Sequence, residues 1–240
     1  MMRTAVTKAM FGVFKIFQPL RFIETGYWKY IHGFRPTSVC SPEVLDRAFK
    51  YAKSLHTLKN RDYYEFGTFK GYSIWKSQQL ANTYGAATMK FYGFDSFCGL
   101  PKPAGIDDAG YFYEGQYNCA KATVIKNIKS HGGDLTRIHL IEGYFDKSLK
   151  KQLIYKYKMK PISIVYIDCD LYSSTKDVLS FIKNLLIKDS LILFDDWNAF
   201  SDNKDKGEQL AFYEFKRKNP DIKFRKDFSF CWHGQAFRVI

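Results

Sequence analysis

Two pairs of aspartates stand directly after apolar, strand-like runs and could together hold a metal ion. Asp168 and Asp170 follow ISIVYI, whereas Asp195 and Asp196 follow SLILF. Four carboxylates at one edge of a sheet repel one another unless a positive charge compensates them. Oxygen ligands suit a hard cation such as Mg2+, Mn2+ or Ca2+ and do not suit zinc. The pattern predicts a divalent-metal site; helix capping or pairing with lysine or arginine is the alternative.

A glycine-containing turn and a distant acid predict a second site, for a nucleoside. The segment 65–73, EFGTFKGYS, follows a strand-like run and opens a helix, and Gly67 and Gly71 would let a ligand approach the backbone closely. Asp95 ends the next strand, where a carboxylate can accept hydrogen bonds from both ribose hydroxyls. Because the segment contains neither GxGxxG nor a GKS/GKT phosphate loop, NAD and ATP are disfavoured. An adenosine-containing cofactor is favoured over an ordinary strand–helix turn.

Alternating strands and helices must position these residues. This alternation, followed by a strand pair, predicts an α/β fold with a mostly parallel sheet, helices on both faces and an antiparallel edge. Ligands bind such sheets at the carboxyl ends of the strands, near the point where strand order reverses. The long irregular stretch 96–118 is typical of a lid or binding loop. The predicted strands are 61–66, 89–94, 137–142, 162–168, 190–194, 222–230 and 235–240, and the predicted helices are 72–84, 119–130, 147–157, 174–187 (with Ser173 or Ser174 as N-cap) and 206–217.

Composition limits the class of protein. The chain has 240 residues, 46% of them hydrophobic, which excludes a disordered chain and a disulfide-stapled miniprotein. The net charge of +13 favours an anionic partner such as a nucleic acid, a membrane surface or an acidic glycan, although many basic proteins have none. Five scattered cysteines form no CxxC pair, so we expect no zinc site and reduced thiols in a cytoplasmic protein.

The amino-terminal segment 1–35 predicts an amphipathic helical region ahead of a domain that spans 36–240. Apolar residues from Val6 to Phe17 recur with helical spacing, but Lys8 and Lys15 interrupt them, which argues against a transmembrane helix. A signal peptide would need a cleaner apolar stretch. The segment therefore either packs on its own domain or on a second subunit, or contacts the inner membrane surface through residues 1–20.

An ordered series of motifs resembles the macrocin O-methyltransferase family. The motifs are EFGTFKG from Glu65, FDSFCGLP from Phe94, IDCDLYSST from Ile167 and FDDW from Phe194. Of these, DSFxGLP and DxDLYxST are specific to the family when they occur together. The resemblance implies a class I methyltransferase with a Rossmann-like, seven-stranded sheet. It further implies a Mg2+-dependent transfer of the S-adenosylmethionine (SAM) methyl group to a hydroxyl of a sugar or glycan, and it allows self-association.

The resemblance also implies roles for individual residues. Residues 97–118 would form a lid over substrate and cofactor, and Asp170 would be the general base. The metal ligands would be Asp168, Asp195 and Asp196. The cofactor-binding residues would be Glu65, Gly67, Thr68, Gly71 and Ser73 at the methionine end, Asp95 and Ser96 at the ribose, Glu142 and Gly143 near the adenine, and Asp168.

Other interpretations stay open at this point. An RNA methyltransferase of the same fold would suit the charge, but the sequence contains no RNA-binding module, so nucleic acid is not expected as a partner. A cephalosporin hydroxylase-like relative and a membrane-associated binding module without catalysis are further alternatives. His139 lies within a strand pattern and is predicted to pack in the core. His233 is either structural or faces the site.

Overall fold

The computed structural model describes residues 41–108, 110, 112–200, 203–231 and 233–240. The predictions for segment 1–35, including membrane contact through residues 1–20, lie outside these residues. No helix within the described ranges is long and apolar enough to cross a membrane.

Seven strands of the described chain form one sheet in the order β3-β2-β1-β4-β5-β7-β6. The first five run parallel, whereas β7 runs antiparallel to both β5 and β6. The mostly parallel sheet with an antiparallel edge is therefore confirmed. The strands are β1 (Asp62–Phe66), β2 (Phe91–Asp95), β3 (Ile138–Glu142), β4 (Ile162–Ile167), β5 (Leu191–Phe194), β6 (Phe224–Phe230) and β7 (Gly234–Val239).

Helices cover both faces of this sheet because the central strands are apolar on both sides. Every residue of β1, β2, β4 and β5 is buried, as expected for strands between two helical layers. One core cluster joins the sheet to α1, α2 and α3, and the other joins it to α6 and α7. The helices are α1 (Ser41–Ser54), α2 (Tyr72–Thr83), α3 (Lys121–Ser130), α4 (Phe145–Ser148), α5 (Gln152–Tyr157), α6 (Tyr172–Ile182) and α7 (Gly207–Lys218).

The structure corrects three helix predictions. The helix expected over 147–157 is two short helices, α4 and α5, and α1 was not predicted. Helix α6 begins at Tyr172, so Ser173 and Ser174 lie inside its first turn and neither is the N-cap.

The prediction that all cysteines are reduced is also wrong, because Cys231 is disulfide-bonded.

A carboxylate from a distant loop replaces the expected serine cap of α6. Asp107 belongs to a 3-10 turn, Gly105–Asp107, within the long loop after β2. Its two oxygens accept hydrogen bonds from the backbone N–H groups of Tyr172 (2.7 Å) and Ser173 (3.1 Å). A negative charge at this position also complements the helix dipole. The loop is thereby tied to the segment that carries Asp168 and Asp170.

Candidate active site

The two predicted sites lie side by side at the carboxyl edge of the sheet. β1 pairs with β2 on one side and with β4 on the other, so strand order reverses at this point. Gly67, after β1, has a φ of +91°, and a Cβ added there would lie 1.7 Å from the carbonyl oxygen of Asp168, after β4. The turn that begins the cofactor motif is therefore packed directly against the backbone of the metal motif. Only glycine permits this approach.

Asp95 organises the glycine turn through its carboxylate. One oxygen accepts hydrogen bonds from the backbone N–H groups of Thr68 and Phe69 (2.8 Å each), and the other accepts one from Phe97 (2.7 Å). Burial raises the pKa of Asp95, and these N–H donors oppose that rise. The structure thus brings Asp95 to Gly67 and Thr68, as the sequence predicted. Its bonds to the loop backbone were not foreseen.

Glu65 and Ser73 meet beneath the same turn. The fully buried Glu65 carboxylate accepts hydrogen bonds from the hydroxyls of Ser73 and Tyr63, both at 2.8 Å. Burial raises the pKa of Glu65 to about 8, although both hydroxyls lower it. Gly71, with a φ of +83°, precedes α2 as its N-cap residue. A buried acid at this place suits the cationic methionine end of SAM.

The predicted ribose and adenine residues lie at the ends of β2 and β3. The Ser96 hydroxyl donates to the carbonyl of Gly99 (2.6 Å) and accepts from the N–H of Cys98 (3.0 Å), so it closes a turn. The N–H of Gly143 donates to the backbone carbonyl of Asp95 at 2.9 Å. The side chain of Glu142 instead pairs with Lys121 on α3 at 3.5 Å. The contacts of these residues with the cofactor stay predictions.

The acids after β4 and β5 converge, as the sequence predicted. Burial raises the pKa of Asp168 well above its usual range, and the carboxylates of Asp195, Asp196 and Asp170 raise it further. Burial and the neighbouring Asp195 raise the pKa of Asp196 to about 7, although the nearby His233 and hydrogen bonds with the backbone and side chain of Asp170 lower it. Asp170 adopts a left-handed conformation (φ +61°) directly before the start of α6. Burial, Asp196 and Asp195 also raise the pKa of Asp170.

His233 reaches this cluster from the turn between β6 and β7. Potential ligand atoms of Asp195, Asp196 and His233 all lie within 4.8 Å of one another. The Nδ1 atom of His233 contacts the backbone carbonyl of Asp195 and lies 3.9 Å from its carboxylate. Because a carbonyl only accepts hydrogen bonds, Nδ1 is the donor in this contact and does not also offer a lone pair to a metal. His233 therefore belongs to the site as a neighbour of Asp195, and this nitrogen is not a ligand.

Tyr166 contacts the acidic cluster, whereas His139 packs away from it. The Tyr166 hydroxyl donates to the carboxylate of Asp195 at 2.5 Å. His139 is stacked on Tyr92, with ring centroids 5.2 Å apart, and packs beside Tyr157 at 5.4 Å. His139 is therefore a packing residue on the sheet, as predicted, and is separate from the acidic cluster.

A fifth acid, Glu208, was missed by the sequence analysis. It lies in the first turn of α7 with 1% of its surface exposed, and its charge interacts with Asp196, Asp195 and Asp170. Acids are common in the first turn of a helix, where they complement the dipole, so its sequence position gives no sign of a buried role.

The donor set fits a hard cation. Both carboxylate oxygens of Glu208 and one of Asp196 are buried without a hydrogen-bond partner in the structure. Among the ion pairs of the described residues, none joins a lysine or arginine to any of the five acids. Buried carboxylates that lack both donors and cationic partners are costly, and a divalent ion would satisfy them. The five acids that pair with neither a lysine nor an arginine are Asp168, Asp170, Asp195, Asp196 and Glu208.

Comparison with known proteins agrees with this arrangement. Residues 59–222 match the family described as Macrocin-O-methyltransferase (TylF). The chain belongs to this family. As a TylF-family protein it is a SAM-dependent O-methyltransferase, which confirms the resemblance seen in its motifs.

Solved structures show the same fold at low sequence identity. The O-methyltransferase NovP has a TM-score of 0.68 at 16% identity, over 82% of this chain and 78% of NovP. The calicheamicin methyltransferase CalS11 has a TM-score of 0.66 at 18% identity, over 98% of this chain and 91% of CalS11. A Bacillus cereus O-methyltransferase in complex with S-adenosylhomocysteine (SAH) has a TM-score of 0.50 at 15% identity, over 90% and 96%. None of the curated proteins matches this TylF-family sequence.

Proposed function

We propose that this TylF-family enzyme methylates a hydroxyl group of a sugar or glycan in a divalent-metal-dependent reaction. The observation that carries the proposal is the close packing of Gly67 on Asp168, because it brings the glycine turn that we expect to bind the cofactor next to acids without a lysine or arginine partner. A structure of CalS11 is described as that of a TDP-rhamnose 3'-O-methyltransferase; it has a TM-score of 0.57 at 17% identity, over 98% of this chain and 93% of CalS11. That description supports a sugar as the acceptor.

The acids divide into metal-holding and proton-accepting groups. Asp168, Asp195 and Asp196 would hold Mg2+, which when bound would lower the pKa of an acceptor hydroxyl and orient it. Asp170 is hydrogen-bonded to Asp196, so it lies beside the place where that hydroxyl would sit. Bound SAM would supply the methyl group, which the hydroxyl oxygen would take as the carbon–sulfur bond breaks, and SAH would be released. Asp170 accepts the hydroxyl proton, which balances the reaction.

The cofactor side of the site orients the methyl donor. Glu65 provides a buried carboxylate for the methionine ammonium group, and the turn around Thr68 provides the adjoining backbone. Asp95, together with Ser96, is proposed to contact the ribose, and Glu142 and Gly143 to border the adenine. The loop over 97–118 would exclude water, since Phe112 of this loop packs with Leu171 and Phe200 in an apolar cluster.

A metal-dependence assay tests this function. The full chain, treated with EDTA and then supplied with SAM and a panel of nucleotide sugars, should form SAH only after Mg2+ is restored. The Asp170→Asn variant should still bind metal but lose about 100-fold or more of kcat. Turnover of a sugar acceptor that EDTA leaves intact would refute the metal role. Methylation of RNA and of no sugar would refute the proposed acceptor class.

A further inference from the structure

Glu208 is the least satisfied charged side chain of the acidic cluster. It has 1% exposed surface, and neither of its carboxylate oxygens has a hydrogen-bond partner in the structure. The buried acid Glu65, by contrast, accepts two hydroxyl hydrogen bonds, and the buried acid Asp95 accepts three backbone hydrogen bonds. Isolated buried carboxylates are rare because removal from water costs free energy that something must offset.

The start of α7 is fixed between the two segments that carry the aspartates. The Gln209 side-chain amide donates to the carbonyl of Trp197 (2.8 Å) and to the side-chain oxygen of Asn198 (3.2 Å). On the other side, a Cβ added to Gly207 would lie 3.8 Å from the backbone carbonyl of Asp170. Glu208, between Gly207 and Gln209, is therefore held against both segments and not at the protein surface.

The charged side chains around Glu208 are carboxylates, although the backbone of Asp196 partly compensates its charge. The charged groups that act on it most strongly are the carboxylates of Asp196, Asp195 and Asp170. No lysine or arginine forms an ion pair with Glu208 within the described ranges. A purely structural role would supply this side chain with a donor or a cationic partner. A cation shared with the aspartates supplies the missing partner for both of its oxygens.

We propose that Glu208 is a cation-binding residue. It would add a fourth carboxylate to the proposed ligands Asp168, Asp195 and Asp196. This inference rests on the proposed metal-dependent function and deepens it. It assigns a role in cation affinity to a residue of α7, a helix that lies outside both acidic motifs, IDCDLYSST and FDDW. Glu208 is thus placed in the ligand set and not in proton transfer.

Calorimetric titration of the full, metal-free chain with Mn2+ tests the assignment. Glu208→Gln keeps the size of the side chain but removes its charge, so Mn2+ affinity should fall about 10-fold or more. The melting temperature of the metal-free variant should stay unchanged or rise, because a repelling buried charge has been removed. The matched control is Glu43→Gln on α1, where the acid is exposed. This control should match wild type in both measurements.

The outcomes separate this inference from the function on which it depends. Wild-type Mn2+ affinity in Glu208→Gln would overturn the role of Glu208 alone. No Mn2+ binding by the wild-type chain would overturn both this role and the metal dependence, while SAH titration would report separately on the methyltransferase site. If Glu208→Gln does not fold, Glu208→Asp decides the matter. Its carboxylate is withdrawn by one methylene, so an unchanged Mn2+ affinity would contradict the proposal.

Discussion

The tie between Asp107 and helix α6 leads to a quantitative prediction. Asp107 has 3% exposed surface, and its carboxylate receives two backbone N–H groups from the first turn of α6. Replacing Asp107 with alanine removes the acceptor of both N–H groups, which are half-buried. Asparagine keeps only one oxygen, so it can accept from one of the two N–H groups and carries no charge.

The expected loss follows from the cost of removing a helix cap. Loss of a capping side chain typically costs about 0.5–2 kcal/mol, and burial and the negative charge place Asp107→Ala near the upper limit, at about 2 kcal/mol. In a chain of this size, each kcal/mol lowers the melting temperature by about 2–4 °C. We therefore expect a fall of about 4–8 °C for Asp107→Ala and about half of that for Asp107→Asn.

Urea unfolding of the wild type, Asp107→Ala and Asp107→Asn, followed by circular dichroism, measures the differences in the free energy of unfolding. Asp221→Ala provides a matched control, since it removes an exposed aspartate beyond the end of α7 and should unfold like wild type. Because the capped segment leads directly from Asp170, Asp107→Ala should also raise KM for the acceptor. An unfolding free energy within about 0.5 kcal/mol of wild type would refute the capping argument, since surface substitutions without such a role typically fall within that range.

Two further predictions concern the glycine turn and the acid beneath it. Gly67→Ala should lower the melting temperature far more than Gly85→Ala: both have positive φ, but only Gly67 would place its Cβ 1.7 Å from another backbone atom, the carbonyl oxygen of Asp168. Equal losses would contradict this. Since burial raises the pKa of Glu65 from 4.5 to about 8, the folded chain holds a proton that the unfolded chain releases, and stability falls as pH rises through this window. Glu65→Gln should reduce the slope of unfolding free energy against pH by roughly 1.4 kcal/mol per pH unit. Parallel stability profiles for the wild type and Glu65→Gln would exclude the effect.

The sheet was predictable because its central strands are continuous apolar runs. ISIVYI and SLILF became β4 and β5, fully buried, with their aspartates at the edge where ligands bind. Helix α1 also had a signal, since Ser41-Pro42-Glu43 is typical of a helix start and apolar residues follow with helical spacing. The break between α4 and α5 had none, because its Lys150-Lys151 pair suits a helix as well as a loop.

The site was predictable only in the parts that belong to strand ends. Asp107 and Glu208 contact residues that are distant in sequence, and no local pattern distinguishes a distant cap or a buried fifth acid from a surface carboxylate. His233 stayed open for the same reason: its contact with Asp195 depends on the pairing of β7 with β5, which the sequence does not specify. Tertiary contacts, and not propensities, decide such roles.

The close approach of the first and fourth strands at their tips has an evolutionary consequence. Since the spacing between donor and acceptor regions is defined by touching main-chain atoms, side-chain replacement cannot readily lengthen or shorten it. New acceptors must therefore be accommodated by changes in the surrounding loop and in α7. A chimera that exchanges the loop over 97–118 with that of a relative but keeps Asp107 should thus retain the reacting geometry while changing which molecule is modified.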